Sequence, residues 1–417
     1  MPGRLTAETL RHLLRPGTTV FVESASAEPL GIAAMLAEDP ALTRGVRFVG
    51  GWLPGINRFD YALDPDAVME AFFPIRAFVK TPGAGRQIVR PLHYSEIFTY
   101  LRDVCPIDVA FLQVAPPDRD GNCSLGIVAE FVPAILGKAK TIVAEVSSAM
   151  PAPPLAVKIP YHRLGWVVET DRPPPEFPID ERDAAVAATI AKHVATLVRD
   201  GDTLQVGLGR IQHAVLRQLR DHRNLGLHSG LVSDGVLDLI EAGAMPRPLV
   251  AAVGLGTRRL YDFLGETRQV RFASVEDVHF TTALAAVDRF VSINSALEVD
   301  LFGQVNAEIA DGRRVSGVGG LVDFMRGARA SPGGRSILAL PATARGGVSR
   351  IVARLAPGAS VSAARADLDY VVTEHGVAAL RYGSVEERAE ALIAIAAPSE
   401  RGDLERVWRD MVKEGRT

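Results

Sequence analysis

The sequence predicts an α/β protein of two domains, each with a mainly parallel sheet covered by helices. Short apolar runs recur along the chain, TTVFVES, DVAFLQVAP and TIVAEVSS early, then DTLQVGLG, LVAAVGLG, FVSIN, SILALPA and LDYVVTEHG. Strands that are apolar on both faces belong to parallel sheets buried between helices. Amphipathic helical patterns fill the intervals between these runs. The length, 417 residues, exceeds one ordinary domain and suits two of about 200 residues each.

The opening, MPGRLTAETLRHLLRPG, alternates charges with leucines and lacks the continuous apolar core of a signal peptide. Three early strands follow, and then the densest break in the chain, DRPPPEFPID, residues 171 to 180. Its prolines can continue neither a helix nor a central strand. A fresh helical pattern runs from Glu181 to Val198, so the boundary is placed near residue 180, giving domains 1–180 and 181–417. In the second half, LQVGLGRIQHAVLRQL reads as strand, glycine turn and helix, with Ile211, Val215, Leu216 and Leu219 on one face. Asp234 opens the helix of VLDLIEAG, where a carboxylate is routine. Ser384 and Glu387 form an S-x-x-E capping box before VEERAEALIAIA. Each half begins with a strand, a turn and a helix, which suggests two similar folds.

Composition narrows the function. Hydrophobic residues make up 47% and charged residues 23%, as in an ordinary globular enzyme. A net charge of −3 gives no bulk attraction to nucleic acid or to an anionic membrane. No run approaches membrane-spanning length, since AALAAV and LIAIAA are short and flanked by charge. Cys105 and Cys123 are the only cysteines and neither has metal-ligand spacing, so free thiols in a reducing cytoplasm are expected, with no metal or prosthetic group.

The stretch Arg289 to Arg326, RFVSINSALEVDLFGQVNAEIADGRRVSGVGGLVDFMR, is the most informative. Val291 to Ile293 reads as a buried strand with Asn294, Ser295, Glu298 and Asp300 gathered at its end. Gly317, Gly319 and Gly320, with Val318 between them, let backbone N–H groups approach a ligand without a Cβ in the way. A site for a developing oxyanion is built in this manner, although an ordinary glycine-rich turn has the same spelling. Gly207 and Gly209 could cradle a phosphate at a helix N-terminus, or serve only tight strand-to-helix packing. Ser229 points away from its neighbours on an extended chain and reads as a structural hydroxyl.

SINSALEVDLFGQVNAE followed by SGVGGLVDFMRGA resembles the acetyl-CoA hydrolase/transferase family, which includes 4-hydroxybutyrate and acetate CoA-transferases. The likeness continues through GGRSILALPATARGGVSRIV, DLDYVVTEHGVAALR, SVEERAEALIAIA, LGLHSGLVSDGVLDLIEAG, HYSEIF and VAPPDRDGNCSLG, which covers nearly the whole chain. The resemblance implies CoA-transferase-type domains with the active site in the cleft between them, coenzyme A as substrate or product, a small carboxylic acid or other acyl acceptor as partner, and a homodimer. It places Gly319 and Gly320 against the acyl-CoA and Gly207, Gly209, Gly317 and Val318 on the coenzyme. Ser26 and Glu28, with Glu23 and Pro29, resemble the loop facing the acyl group, with His228 and Asn294 as further lining and Glu96 and Gln113 as weaker candidates.

One departure outweighs these matches. Family members that transfer CoA carry a glutamate two residues after the histidine of the LGLH-like segment, and this chain has Gly230 there. Glycine can form neither an acyl anhydride nor a glutamyl-CoA thioester. The expectation is hydrolysis or direct acyl transfer, with space opened at residue 230 for water or an external nucleophile. His279, in VEDVHFT, aligns near an active-site position of relatives and is the expected general base; a histidine satisfied in a packed loop is the alternative. The other readings are a CoA-transferase using another acid, and a non-catalytic CoA-binding paralogue or partner subunit.

Overall fold

The computed structural model describes residues 1–74, 86–178 and 184–415. The chain divides into two compact units, one of Met1–Pro178 with Val232–Asp234 and Leu249–Val278, the other of Ile179–Leu231, Gly235–Pro248 and His279–Thr417. The boundary expected near residue 180 falls among residues 179–183, outside the described residues. Two later segments, around residues 232–234 and 249–278, are counted with the first unit, which a single cut does not anticipate.

The first unit holds an eight-stranded sheet in the order Gly3–Arg4, Trp166–Thr170, Thr141–Ser147, Val109–Val114, Thr19–Val22, Arg47–Gly50, Val68–Ala71 and Arg86–Val89. Every pairing in it is parallel. The central strands Thr19–Val22 and Val109–Val114 are buried at every residue, which accounts for their unbroken apolar spelling. The helix Leu30–Glu38 buries Ile32, Ala33 and Leu36, and these join Val20, Phe48, Trp52, Tyr61 and Phe111 in one core.

In the second unit the strand order is Gly226–Val232, Thr203–Val206, Phe290–Asn294, Arg335–Ala339, Tyr370–Thr373 and Gly376–Ala379. The first five run parallel, and the last closes an antiparallel hairpin. All eight strands read from apolar runs are present in the two units. The strands Arg47–Gly50, Val68–Ala71 and Gly226–Val232 lack that signature. Val68–Ala71 carries Glu70, a fully buried carboxylate held by Arg47 at 2.5 Å and by Arg90 and the Tyr100 hydroxyl at 2.6 Å. Ser384 caps the helix Val385–Ala394 as expected, with its Oγ accepting from the Glu387 N–H and the Glu387 carboxylate accepting from the Ser384 N–H.

Candidate active site

The second unit assembles several expected residues into one corner. The strand Gly226–Val232 carries His228, Ser229 and Gly230, and its alternation sends neighbours to opposite faces. Ser229 is fully buried, its hydroxyl donating to the Val206 carbonyl at 3.2 Å, so it is a structural hydroxyl. Gly230 faces His279: a Cβ added there would lie 3.3 Å from His279 Nε2 and 3.6 Å from Phe324 Cζ. Gly320, the N-cap of the helix Leu321–Ala330, approaches the same ring, and a Cβ on it would lie 2.8 Å from His279 Cδ2 and 3.1 Å from Phe324 Cε2. The His279 and Phe324 ring centroids are 4.5 Å apart. An imidazole and a phenyl ring therefore border residue 230, which is itself half-buried.

Burial decides how that imidazole ionises. His279 is 2% exposed, and burial first, then the charge of His228, lowers its pKa from 6.5 to about 3. The ring is neutral at physiological pH, and placing a proton on it at pH 7 costs on the order of 5 kcal/mol. A general base works best with a pKa near the working pH. Burial thus opposes protonation of this ring.

The glycine loop joins two backbone conformations. Gly319 sits at φ 62°, where a Cβ is strained, and Gly320 follows at φ −92° and ψ 4°. A left-handed residue beside a right-handed one, opening a ten-residue helix, is a form of backbone nest. Gly317 is buried and Val318 half-buried at its approach. The turn at Gly207 and Gly209 differs in character. Gly209, at φ 141°, must be glycine, and Gln212 packs into the turn, with its Oε1 2.8 Å from where a Gly209 Cβ would stand. Beside it lies a cleft of about 500 Å³ lined by Leu208, Gly209, Arg210, Ser295, Arg345 and Arg350.

Other candidates have structural partners. Asn294 is paired face to face with Gln205, donating to its Oε1 at 2.8 Å and accepting from its Nε2 at 3.2 Å. Glu298 accepts from Asn306, Glu308 from Ser362, and Asp300 from the Phe302 and Gln304 N–H groups. Glu96 caps its own helix by accepting from the His93 N–H at 2.9 Å.

The first unit buries a second polar group around the loop after Thr19–Val22. Glu28 accepts from Asn57 at 3.0 Å and from the Tyr61 hydroxyl at 3.3 Å, and burial raises its pKa to about 7 against those bonds. Glu130 accepts from Tyr94 at 2.6 Å and Ser24 at 3.2 Å, and burial likewise raises it to about 7. Glu23 accepts from the Gln113 N–H at 2.8 Å, and burial, with Glu130 nearby, raises it well above the carboxylate range. Ser26 is fully buried and donates to the Gly254 carbonyl at 2.7 Å. Ala25 and Glu130 both hold positive φ, at 55° and 36°, a strained backbone that packing has to enforce. Sequence reasoning found Glu23, Glu28 and Ser26 but missed Asn57, Tyr61, Tyr94 and Glu130. No local pattern links Glu130 to Ser24, which is 106 positions away.

Comparison with known proteins defines the class. Residues 5–168 match the acetyl-CoA hydrolase/transferase N-terminal domain, and residues 256–407 match the C-terminal domain of the same family. The chain is 39% identical to the 4-hydroxybutyrate coenzyme A transferase of Clostridium kluyveri over 336 residues, 77% of each chain. Among solved structures, RipA from Yersinia pestis superposes with a TM-score of 0.90 at 28% identity over 98% of this chain and 97% of that one. A 4-hydroxybutyrate CoA-transferase from Porphyromonas gingivalis gives 0.81 at 32% identity over 97% and 96%. The chain belongs to the acetyl-CoA hydrolase/transferase family and is an acyl-CoA-processing enzyme.

Among the described residues, no group of three or more His, Cys, Asp or Glu side chains could hold a metal ion, and no helix is long and apolar enough to cross a membrane.

Proposed function

We propose that this enzyme cleaves acyl-CoA thioesters by hydrolysis, or by direct transfer to an external acceptor, without a glutamyl-CoA intermediate at residue 230. One observation carries the reading: residue 230 has no side chain, and His279 and Phe324 stand within contact of where its Cβ would be. Residue 230 supplies no carboxylate, and an imidazole and a phenyl ring border it.

The remaining parts suit non-covalent chemistry. The N–H groups of Gly319 and Gly320 would hold the thioester oxygen as charge develops on it; losing one such donor typically lowers the rate about 10²–10³-fold. Gly207, Gly209, Gly317 and Val318 would meet the coenzyme, with Arg345 and Arg350 of the neighbouring cleft supplying charge for its phosphates. His228 and Asn294 remain proposed lining, as do Ser26 and Glu28 for the acyl group. A cytoplasmic homodimer that takes acyl-CoA and a small carboxylic acid or other acceptor completes the proposal.

The test is to incubate the protein with a panel of acyl-CoA thioesters, measure free thiol, and trap with hydroxylamine or borohydride. The expected result is thiol release with every protein carboxyl unmodified. A modified Glu28, Glu298, Asp300, Glu308 or other acid would establish a covalent carboxylate route and overturn the reading.

A further inference from the structure

Two glycines far apart in sequence are pressed against one imidazole. Gly230 lies on the strand Gly226–Val232 and Gly320 caps the helix Leu321–Ala330. Neither has a left-handed backbone, since the positive-φ glycines include Gly319 but not Gly230 or Gly320. Backbone conformation therefore does not demand glycine at either position. Crowding acts at both: a Cβ at 320 would come within 2.8–3.0 Å of the His279 ring, closer than packed atoms approach, and a Cβ at 230 would press on it more lightly, 3.3–3.4 Å from its Nε2 and Cε1. Phe324 backs the imidazole at 4.5 Å between centroids, and Phe290 lies 6.4 Å from Phe324, so the ring has aromatic packing behind it.

We infer that His279 is the specificity-determining residue of this corner: its ring holds the volume of a residue-230 side chain, so that positions 230, 279 and 320 form one steric unit and the acyl acceptor has to come from outside the chain. His279 and the two glycines constrain one another. A carboxylate restored at 230 alone meets the ring, and the ring removed alone leaves a cavity without a nucleophile. This deepens the reading above and rests on it in one respect, that residue 230 faces the reacting thioester.

Two arms of one experiment separate the claims. The first measures thermal midpoints of Gly230→Val, Gly320→Ala, His279→Ala and the two double variants with His279→Ala. Each glycine substitution is expected to lower the midpoint by several degrees when His279 is present and by much less when it is absent, with residues in direct contact failing additivity. Equal losses in both backgrounds would overturn the steric unit. The second arm exposes Gly230→Glu and Gly230→Glu/His279→Ala to acyl-CoA and traps with hydroxylamine. In the double variant the new carboxylate attacks the thioester carbonyl carbon, the C–S bond breaks, and CoA leaves as thiolate with a mixed anhydride at residue 230. The thiolate then attacks the side-chain carbonyl of the anhydride, releasing the acyl group as a free carboxylate and leaving a side-chain thioester. The expected result is an adduct at position 230 in the double variant and none in Gly230→Glu. An adduct in Gly230→Glu with His279 intact would overturn the inference. Non-additive midpoints with no adduct in either variant would uphold the steric unit and refute the placing of residue 230 at the thioester.

Discussion

Two buried corners, one in each unit, shift their ionisable groups in opposite directions. In the first, Glu28 and Glu130 are buried with hydrogen-bond donors around them, Asn57 and Tyr61 for one, Tyr94 and Ser24 for the other. The donors stabilise the anion but burial prevails, and both pKa values rise to about 7. In the second, His279 sits among Phe324 and two glycines, and burial together with His228 drives its pKa down to about 3. Desolvation opposes charge in both places, so it keeps acids protonated in one and a base unprotonated in the other. The first unit thus retains groups that can exchange protons near pH 7, and the second holds a neutral ring against Gly230 and Gly320.

The difference has a sign that stability can test. The larger effect belongs to His279. Its unfolded pKa is 6.5 and its folded value about 3, so between these pH values the unfolded chain binds more protons. The contribution is fully present above pH 6.5 and is lost as pH falls toward 3, by on the order of 5 kcal/mol in total. His279→Phe keeps a ring and removes the titration. Urea midpoints measured from pH 7 down to pH 4 should fall less steeply for this variant than for wild type; parallel curves would mean that the imidazole is solvated in solution.

The smaller effect has the opposite direction. Glu28 and Glu130 rise from 4.5 to about 7, so the folded state binds more protons between those values. Their contribution is fully present below pH 4.5 and lost as pH rises through 7, about 3 kcal/mol for each. Glu130→Gln, which leaves Tyr94 an oxygen to donate to, should flatten the decline between pH 5 and pH 8. A decline as steep as wild type would remove Glu130 from the comparison and leave Glu23 and Glu28 to account for it.

How much of this was legible in the sequence depended on distance along the chain. Strands such as Val109–Val114 announced themselves because both faces are buried, and the glycine loop at 317–320 because backbone geometry is written in single residues. The capping box at Ser384 and Glu387 spans only a helical turn. Val68–Ala71 was hidden because its buried Glu70 is neutralised by arginines from other segments. The absence of a side chain at Gly230 was legible, whereas what fills the gap was not, since His279 and Phe324 reach it only through the fold. The surroundings of His279 were illegible for a related reason. A histidine's name gives its ordinary pKa, but its burial is a property of the packed corner.

The central claim is that no carboxylate of the protein is acylated during turnover. Many turnovers of an acyl-CoA substrate in ¹⁸O-labelled water, followed by intact-mass analysis of the protein, test it most directly. Hydrolysis through a glutamyl or aspartyl thioester leaves solvent oxygen in the side chain, because water attacks the protein carbonyl. The account predicts one heavy oxygen in each molecule of acid formed by hydrolysis and no change in the mass of the protein. Heavy oxygen accumulating in a protein carboxyl in step with thiol release would contradict it.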